Sequence, residues 1–213
     1  MYRTLNAPDP DRFPAPPSTA PALLPSTGDH RWRPVDAADA TVTEQLLTER
    51  IVVVAGELDD AAGHRLISRL LLLDAIDARA DITLHLSGTG GTTTAALAVR
   101  DVLGHVRPDV ATWAVGVVSG AAQVLLTAGT PGKRHALPQA TIQLRRPAIG
   151  APGALGGAGR AHETLRAQLT ALTAADAGRP VADLSADLDD ARWLTATQAR
   201  EYGLVDHIGR GAG

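Results

Sequence analysis

The sequence predicts an α/β fold around a largely parallel sheet, and three observations carry that expectation. Short runs of valine, isoleucine and leucine alternate with longer stretches of helical apolar spacing. Glycine-rich turns stand where a strand runs into a helix, and neither an internal repeat nor a second domain interrupts the alternation. From Thr41 to Glu49 a short helical pattern (Val42, Leu46, Leu47) leads into Ile51-Val52-Val53-Val54, which reads as a strand buried on both faces and bounded by Gly56. Asp59 or Asp60 caps a helix to about Ile76 through its side-chain oxygen, and Leu66, Ile67, Leu70, Leu71 and Leu73 form its apolar face. Asp81 to Leu86 is the next strand; it runs through Ser87-Gly88-Thr89-Gly90-Gly91 into a helix to about Val106. A third strand, Ala111 to Val118, leads into a small-residue helix. Gly132 to Ala136 and Ala140 to Leu144 read as a strand pair split by Pro138, which suits an edge or a bend. A Gly, Ala and Pro stretch follows Pro147 as far as Gly159. An amphipathic helix then reaches about Ala177, a short helix starts at Pro180, and Thr195 caps the last one.

The chain of 213 residues is long enough for one full core. Residues 1–40 hold eight of the 14 prolines and no apolar periodicity, so the expected division is a disordered Pro-rich tail over 1–40 and one folded domain over 41–213. With no cysteine there is no disulfide, thiolate nucleophile or cysteine-held metal, and no metal or cofactor is expected. A net charge of -3 with interspersed signs argues against nucleic acid. No run approaches a membrane span and no signal pattern opens the chain, which points to a soluble, cytoplasmic protein without membrane contact.

The chemistry concentrates in Gly116-Val117-Val118-Ser119-Gly120-Ala121-Ala122-Gln123, a strand-to-helix turn of small residues. A nucleophile at such a turn sits beside unpaired backbone N–H groups and the positive end of the helix dipole, where an oxyanion is stabilised. Ser119 and Gly120 share it, and which of them holds the reactive position decides whether the protein is an enzyme. The second turn, Gly88-Thr89-Gly90-Gly91, lacks the spacing of a dinucleotide fingerprint and the lysine of a phosphate loop. It can still aim a backbone N–H into a cleft.

With both turns in view the sequence resembles the proteolytic subunit of the Clp ATP-dependent serine protease over about Thr41 to Ile208. The resemblance rests on Glu49-Arg50-Ile51, Gly90-Gly91 with Thr94-Ala95, Pro108-Asp109-Val110, Gly129 with Gly132-Lys133-Arg134, Leu137-Pro138, and Glu201-Tyr202-Gly203-Leu204-Val205-Asp206. It implies the crotonase-like spiral fold of repeated strand-strand-helix units. It also implies heptameric rings, stacked in pairs, fed by an AAA+ ATPase. Carried over residue by residue, the family's nucleophilic serine falls on Gly120, its histidine base on Arg145 and its aspartate on Ala191, so all three triad positions are substituted. The backbone donors of the oxyanion hole fall on Gly91 and Ala121.

A shifted triad of Ser119 with Asp190 meets two objections. One residue along a helix turns a side chain by about 100°, and Arg145 and Arg146 cannot accept a proton from serine. Of the seven histidines His85 is the least remote, and as a lone strand histidine it reads as structural. Arg145 has two readings: an ion pair with Asp190 or Asp189 across the cleft, or a solvated side chain at its mouth. Between Arg145 and Pro180 the chain is three residues shorter than the family pattern, the Gly150–Gly159 stretch replaces the handle that joins two rings, and the family's inter-ring arginine falls on Asp190.

The resemblance therefore implies a catalytically degenerate subunit with a structural or regulatory place in a mixed ring, beside an active Clp proteolytic-subunit paralogue. Two alternatives stay open: an active hydrolase using Ser119 in a rearranged site, and a stand-alone protein that binds an acyl or peptide ligand in the oxyanion cleft. No coenzyme A signature accompanies the crotonase-like fold.

Overall fold

A computed structural model describes residues 37–148 and 159–209. The predicted tail, apart from its last few residues, and nearly all of the Gly150–Gly159 stretch lie outside these residues. In chain order the elements are α1 (Ala37–Thr48), β1 (Ile51–Leu58), α2 (Asp60–Ile76), β2 (Ile82–Gly91), α3 (Thr93–His105), β3 (Val110–Ser119) and α4 (Ala121–Thr127). There follow β4 (Arg134–Ala136), β5 (Thr141–Gln143), α5 (Gly159–Ala177), α6 (Val181–Asp189), β6 (Trp193–Thr195), α7 (Ala196–Tyr202) and β7 (His207–Ile208). The sheet runs β1-β2-β3-β4-β7 with every pair parallel; β5 also joins β3 in parallel and carries β6 antiparallel.

The helix starts follow from local chemistry. Asp59 accepts from the Ala62 N–H at 2.7 Å, Thr92 accepts from Ala95 at 3.1 Å, and Thr195 forms a full capping box with Gln198. α2 lies close on α3 because Gly63 offers no side chain: a Cβ there would stand 3.1 Å from Ala95 Cβ. α4 is buried along its whole length, from Ala121 to Thr127, beneath β2 and β3.

Several residues that carry the family resemblance are anchors. Arg50 gives its guanidinium N–H groups to the carbonyls of Leu73, Asp77, Ala80 and Asp81, which closes the α2–β2 connection. Arg134, only 8% exposed, pairs with Asp206 at 2.6 and 3.0 Å and donates to Asp176 O at 2.8 Å. Lys133 bridges Asp81 and Asp109, the residues just before β2 and β3.

The sheet corrects two sequence expectations. β4 and β5 do not pair with each other; each continues β3, with Thr112–Ala114 matched to Arg134–Ala136 and Val117–Ser119 to Thr141–Gln143. The step across Leu137 to Ala140 lets a single long strand serve two short neighbours. Nor is β1 buried on both faces: Val52 is 2% exposed but Val53 is 47% exposed. The helices cover one face of the sheet. Along the other runs a row in strict register, Val53, His85, Trp113, His135 and His207. Its rings stack: Trp113 lies 4.2 Å from His135 and 6.1 Å from His85, and His135 lies 5.1 Å from His207.

Candidate functional site

The site forms where β3 breaks into α4 beside the end of β2. Gly120 occupies the break with φ 60° and ψ −126°, a left-sided conformation that lets the chain reverse from strand to helix in one residue. Ala121 is the first residue of α4, so its N–H has no acceptor within the helix. Gly91 lies against it: a Cβ on Gly91 would be 2.6 Å from Ala121 Cβ and 2.7 Å from Leu58 O, so no other residue fits. The two positions expected to form an oxyanion hole are thus neighbours. At Gly120, in contrast, an added Cβ meets nothing nearer than 3.7 Å, from Gly90. The space for a side chain is open, although at this φ any residue but glycine would be strained.

Ser119 is 0% exposed, and its hydroxyl donates to Gln143 Oε1 at 2.9 Å across the β3–β5 pair. Gln143 in turn donates from Nε2 to Ala191 O at 3.3 Å. The Ser119 proton is therefore directed at a neutral amide, which is no base. Asp190, the C-cap of α6, is exposed and holds no side-chain hydrogen bond among the described residues. No hydrogen bond joins it to Ser119. Ala191 itself takes a left-handed conformation, φ 50°, which is rare for a residue with a Cβ.

The two arginines after β5 divide between them the two readings that the sequence left open for Arg145. Arg145 is exposed and makes no ion pair or hydrogen bond among the described residues. The ion pair forms one residue later: Arg146 reaches Asp189 at 2.7 and 3.1 Å and also donates to Thr170 and Ser185. The Arg146 hydrogen bond holds the Asp189 carboxyl below the usual carboxylate range. His85 is half-buried in the ring row, and burial pushes its pKa down.

Two features of the site carried no signal in residue types. Ala148 forms a bridge with the end of β2: its N–H donates to Gly91 O at 2.8 Å, and its carbonyl accepts from the Thr93 N–H at 2.8 Å. Gln143 joins the Ser119 and Ala191 positions, and only the register of β5 on β3 reveals it.

A glycine turn feeding a buried helix, facing a second glycine turn across a parallel sheet, is a backbone arrangement able to aim N–H groups at one point. The Clp protease family model matches residues 35–212. An ATP-dependent Clp protease proteolytic subunit 1 from Mycobacterium tuberculosis (strain ATCC 25618 / H37Rv) is 39% identical over 79% of this chain and 86% of its own length. A subunit 1 from Corynebacterium jeikeium (strain K411) is 37% identical over 79% of this chain and 91% of its own length. A subunit 2 from Corynebacterium efficiens is 36% identical over 78% of this chain and 85% of its own length. The chain belongs to the Clp protease family, and its mixed α/β architecture is the crotonase-like fold of that family. None of its described helices is long and apolar enough to cross a membrane.

Proposed function

We propose that this chain is a catalytically inactive member of the Clp protease family that works as a structural or regulatory subunit of a cytoplasmic ring-shaped degradation complex. In this reading it assembles laterally with an active proteolytic paralogue and is served by that ring's AAA+ ATPase. The observation that carries the reading is Gly120: the strained strand-to-helix turn is kept, a side chain would fit, and the nucleophile is missing. Arg145 at the base position and Ala191 at the acid position point the same way. The Ala148 bridge adds support, because a peptide strand entering beside Gly91 and Thr93 would have to displace hydrogen bonds the chain already makes. The Ser119 hydrolase is disfavoured by the burial of that hydroxyl and its amide partner.

Assembly is supported by surfaces. A parallel sheet is ordinarily covered on both faces, yet here Val53 and Val117 are 47% and 39% exposed, while Trp113 on the Val53 row is buried. The outer side of α2 presents Leu71, Leu72 and Ile76, which are at least 42% exposed. Open sheet against apolar helix is a heterologous contact of the kind that closes rings.

Two measurements test the proposal. Purified protein should resist labelling by a fluorophosphonate and should not turn over a short fluorogenic peptide; turnover abolished by Ser119→Ala would sink the inactive reading. Native mass, taken alone and then with the active proteolytic subunit of the same cell, should show a mixed ring. A monomer under both conditions would favour the stand-alone binding protein.

A further inference from the structure

A cavity of about 10 Å³ lies between α4 and α5, closed on one side by the segment after β5. That is the room one water molecule needs. Two buried polar atoms without a partner among the described residues belong to side chains that line it: Gln123 Oε1, from a residue 0% exposed, and Arg166 Nε. Native proteins leave few such groups unmade.

The surrounding hydrogen bonds determine what the cavity can hold. Gln123 Nε2 donates to Thr127 Oγ1 at 3.0 Å, and the Thr127 proton goes to Gln123 O at 3.1 Å. With the Thr127 proton held on the Gln123 carbonyl, a flipped amide would set oxygen against oxygen, and in that arrangement the free atom of Gln123 is its acceptor. The threonines of the lining have also given their protons away: Thr93 to Ala148 O at 3.1 Å, Thr170 to Arg166 O at 2.8 Å and Thr173 to Leu169 O at 2.9 Å. They have only lone pairs left to offer. Arg146 is engaged by Asp189, Ser185 and Thr170. The unpartnered atoms of the lining are thus one acceptor and one N–H, beside threonine oxygens that can only accept. An anion would face those acceptors, and a cation would face two guanidiniums. A neutral group that accepts one hydrogen bond and donates two satisfies every atom, and at this volume that group is water.

We propose that this cavity binds one ordered water, which accepts from Arg166 Nε–H and donates to Gln123 Oε1 and to a threonine hydroxyl. The water is a structural ligand. It ties α5 to α4 at Gln123, two residues after Ala121, and so steadies the turn that holds Gly120 without any direct bond between the two helices at that point.

Crystals of the full chain at about 1.8 Å resolution should show a single solvent peak 2.7–3.2 Å from both Gln123 Oε1 and Arg166 Nε. Gln123→Leu and Arg166→Met should each lower Tm by about 3–6 °C, because each leaves the other group stranded. The double variant should lose less than the sum of the two. A direct Gln123–Arg166 hydrogen bond, density larger than a water, no density beside Gln123 Oε1, or a strictly additive loss overturns the proposal. The crystal arm needs no substitution, so it decides the matter even when a variant fails to fold.

Discussion

The Arg134–Asp206 latch and the Gly120 cleft are both built at the ends of β3 and its neighbours, yet they are finished to different degrees. In the latch every group is used: Asp206 accepts from Arg134 Nε and NH2 and from the N–H groups of Gly132 and Arg134, while Arg134 reaches on to Asp176 O. In the cleft the backbone is equally exacting at Gly91 and Gly120, but the side chains at positions 120, 145 and 191 bond to nothing among the described residues. On the proposed reading, a backbone built for chemistry persists here as architecture. Its shape is held by glycines and buried helices, which the loss of reacting side chains does not touch.

The sharpest way to break that comparison is to supply what the cleft lacks. Gly120→Ser alone should give almost no hydrolysis, because Arg145 cannot take the hydroxyl proton. Gly120→Ser with Arg145→His still lacks the carboxylate that sets the imidazole tautomer, an effect on the order of 10⁴ in serine proteases of the chymotrypsin kind. Only the triple variant with Ala191→Asp should approach rapid peptide turnover and fluorophosphonate labelling. A folded, assembled triple variant that stays silent would mean that Gly91 and Ala121 no longer form an oxyanion hole.

Next in size is the latch. Arg134→Met leaves the partly buried Asp206 without its guanidinium partner and should cost about 3 kcal/mol in thermal or urea unfolding. Arg145→Met, one strand away and exposed, should change stability by less than about 0.5 kcal/mol. Equal effects would erase the distinction between the regions. The latch also has a pH signature. Burial pushes the Asp206 carboxyl up, but its hydrogen bonds to Arg134 and to the backbone N–H groups outweigh that and hold it below the usual range. A depressed carboxyl stabilises above its unfolded value of about 3.9, and the contribution is lost as pH falls through the lower folded value. The gap in unfolding free energy between the native chain and Asp206→Asn should be constant above about pH 5 and shrink only below about pH 4.

Within the cleft, Gly91→Ala should cost about 2–4 kcal/mol, since the new methyl group collides with Ala121 and Leu58 and φ is 127°. A further effect in the cleft runs the other way: Ala191→Gly should stabilise by about 1 kcal/mol by relieving a left-handed alanine. Destabilisation there would show that the alanine methyl packs usefully in spite of the strain.

Much of this is legible in the sequence. The helices and the strands β1 to β5, the caps at Asp59 and Thr195, and the meeting of Gly91 with Ala121 follow from local composition and from the family resemblance, whereas the short β6 and β7 are not expected. What could not be read depended on rotation about a strand axis. Adjacent arginines point to opposite sides, so the choice of Arg146 over Arg145 for Asp189 is a matter of register that residue type does not encode. The same holds for Val53, whose exposure depends on what lies across the sheet. It holds again for Gln143, whose role follows from pairing with Ser119.

The ring row on the open face gives this protein an internal gauge. Of the two tryptophans among the described residues, Trp113 is stacked on a histidine and Trp193 is 53% exposed; Trp32 lies outside them. Burial first, and the neighbouring His207 charge second, push the pKa of His135 below the usual imidazole range. A protonated imidazole 4.2 Å from an indole quenches its emission, so with Trp32 and Trp193 changed to Phe the fluorescence of Trp113 should dim at a pH below 6.5. A neighbour seated on that face would desolvate the pair further and move the dimming to still lower pH. Light from one native side chain would then report when the sheet is covered, with no label attached.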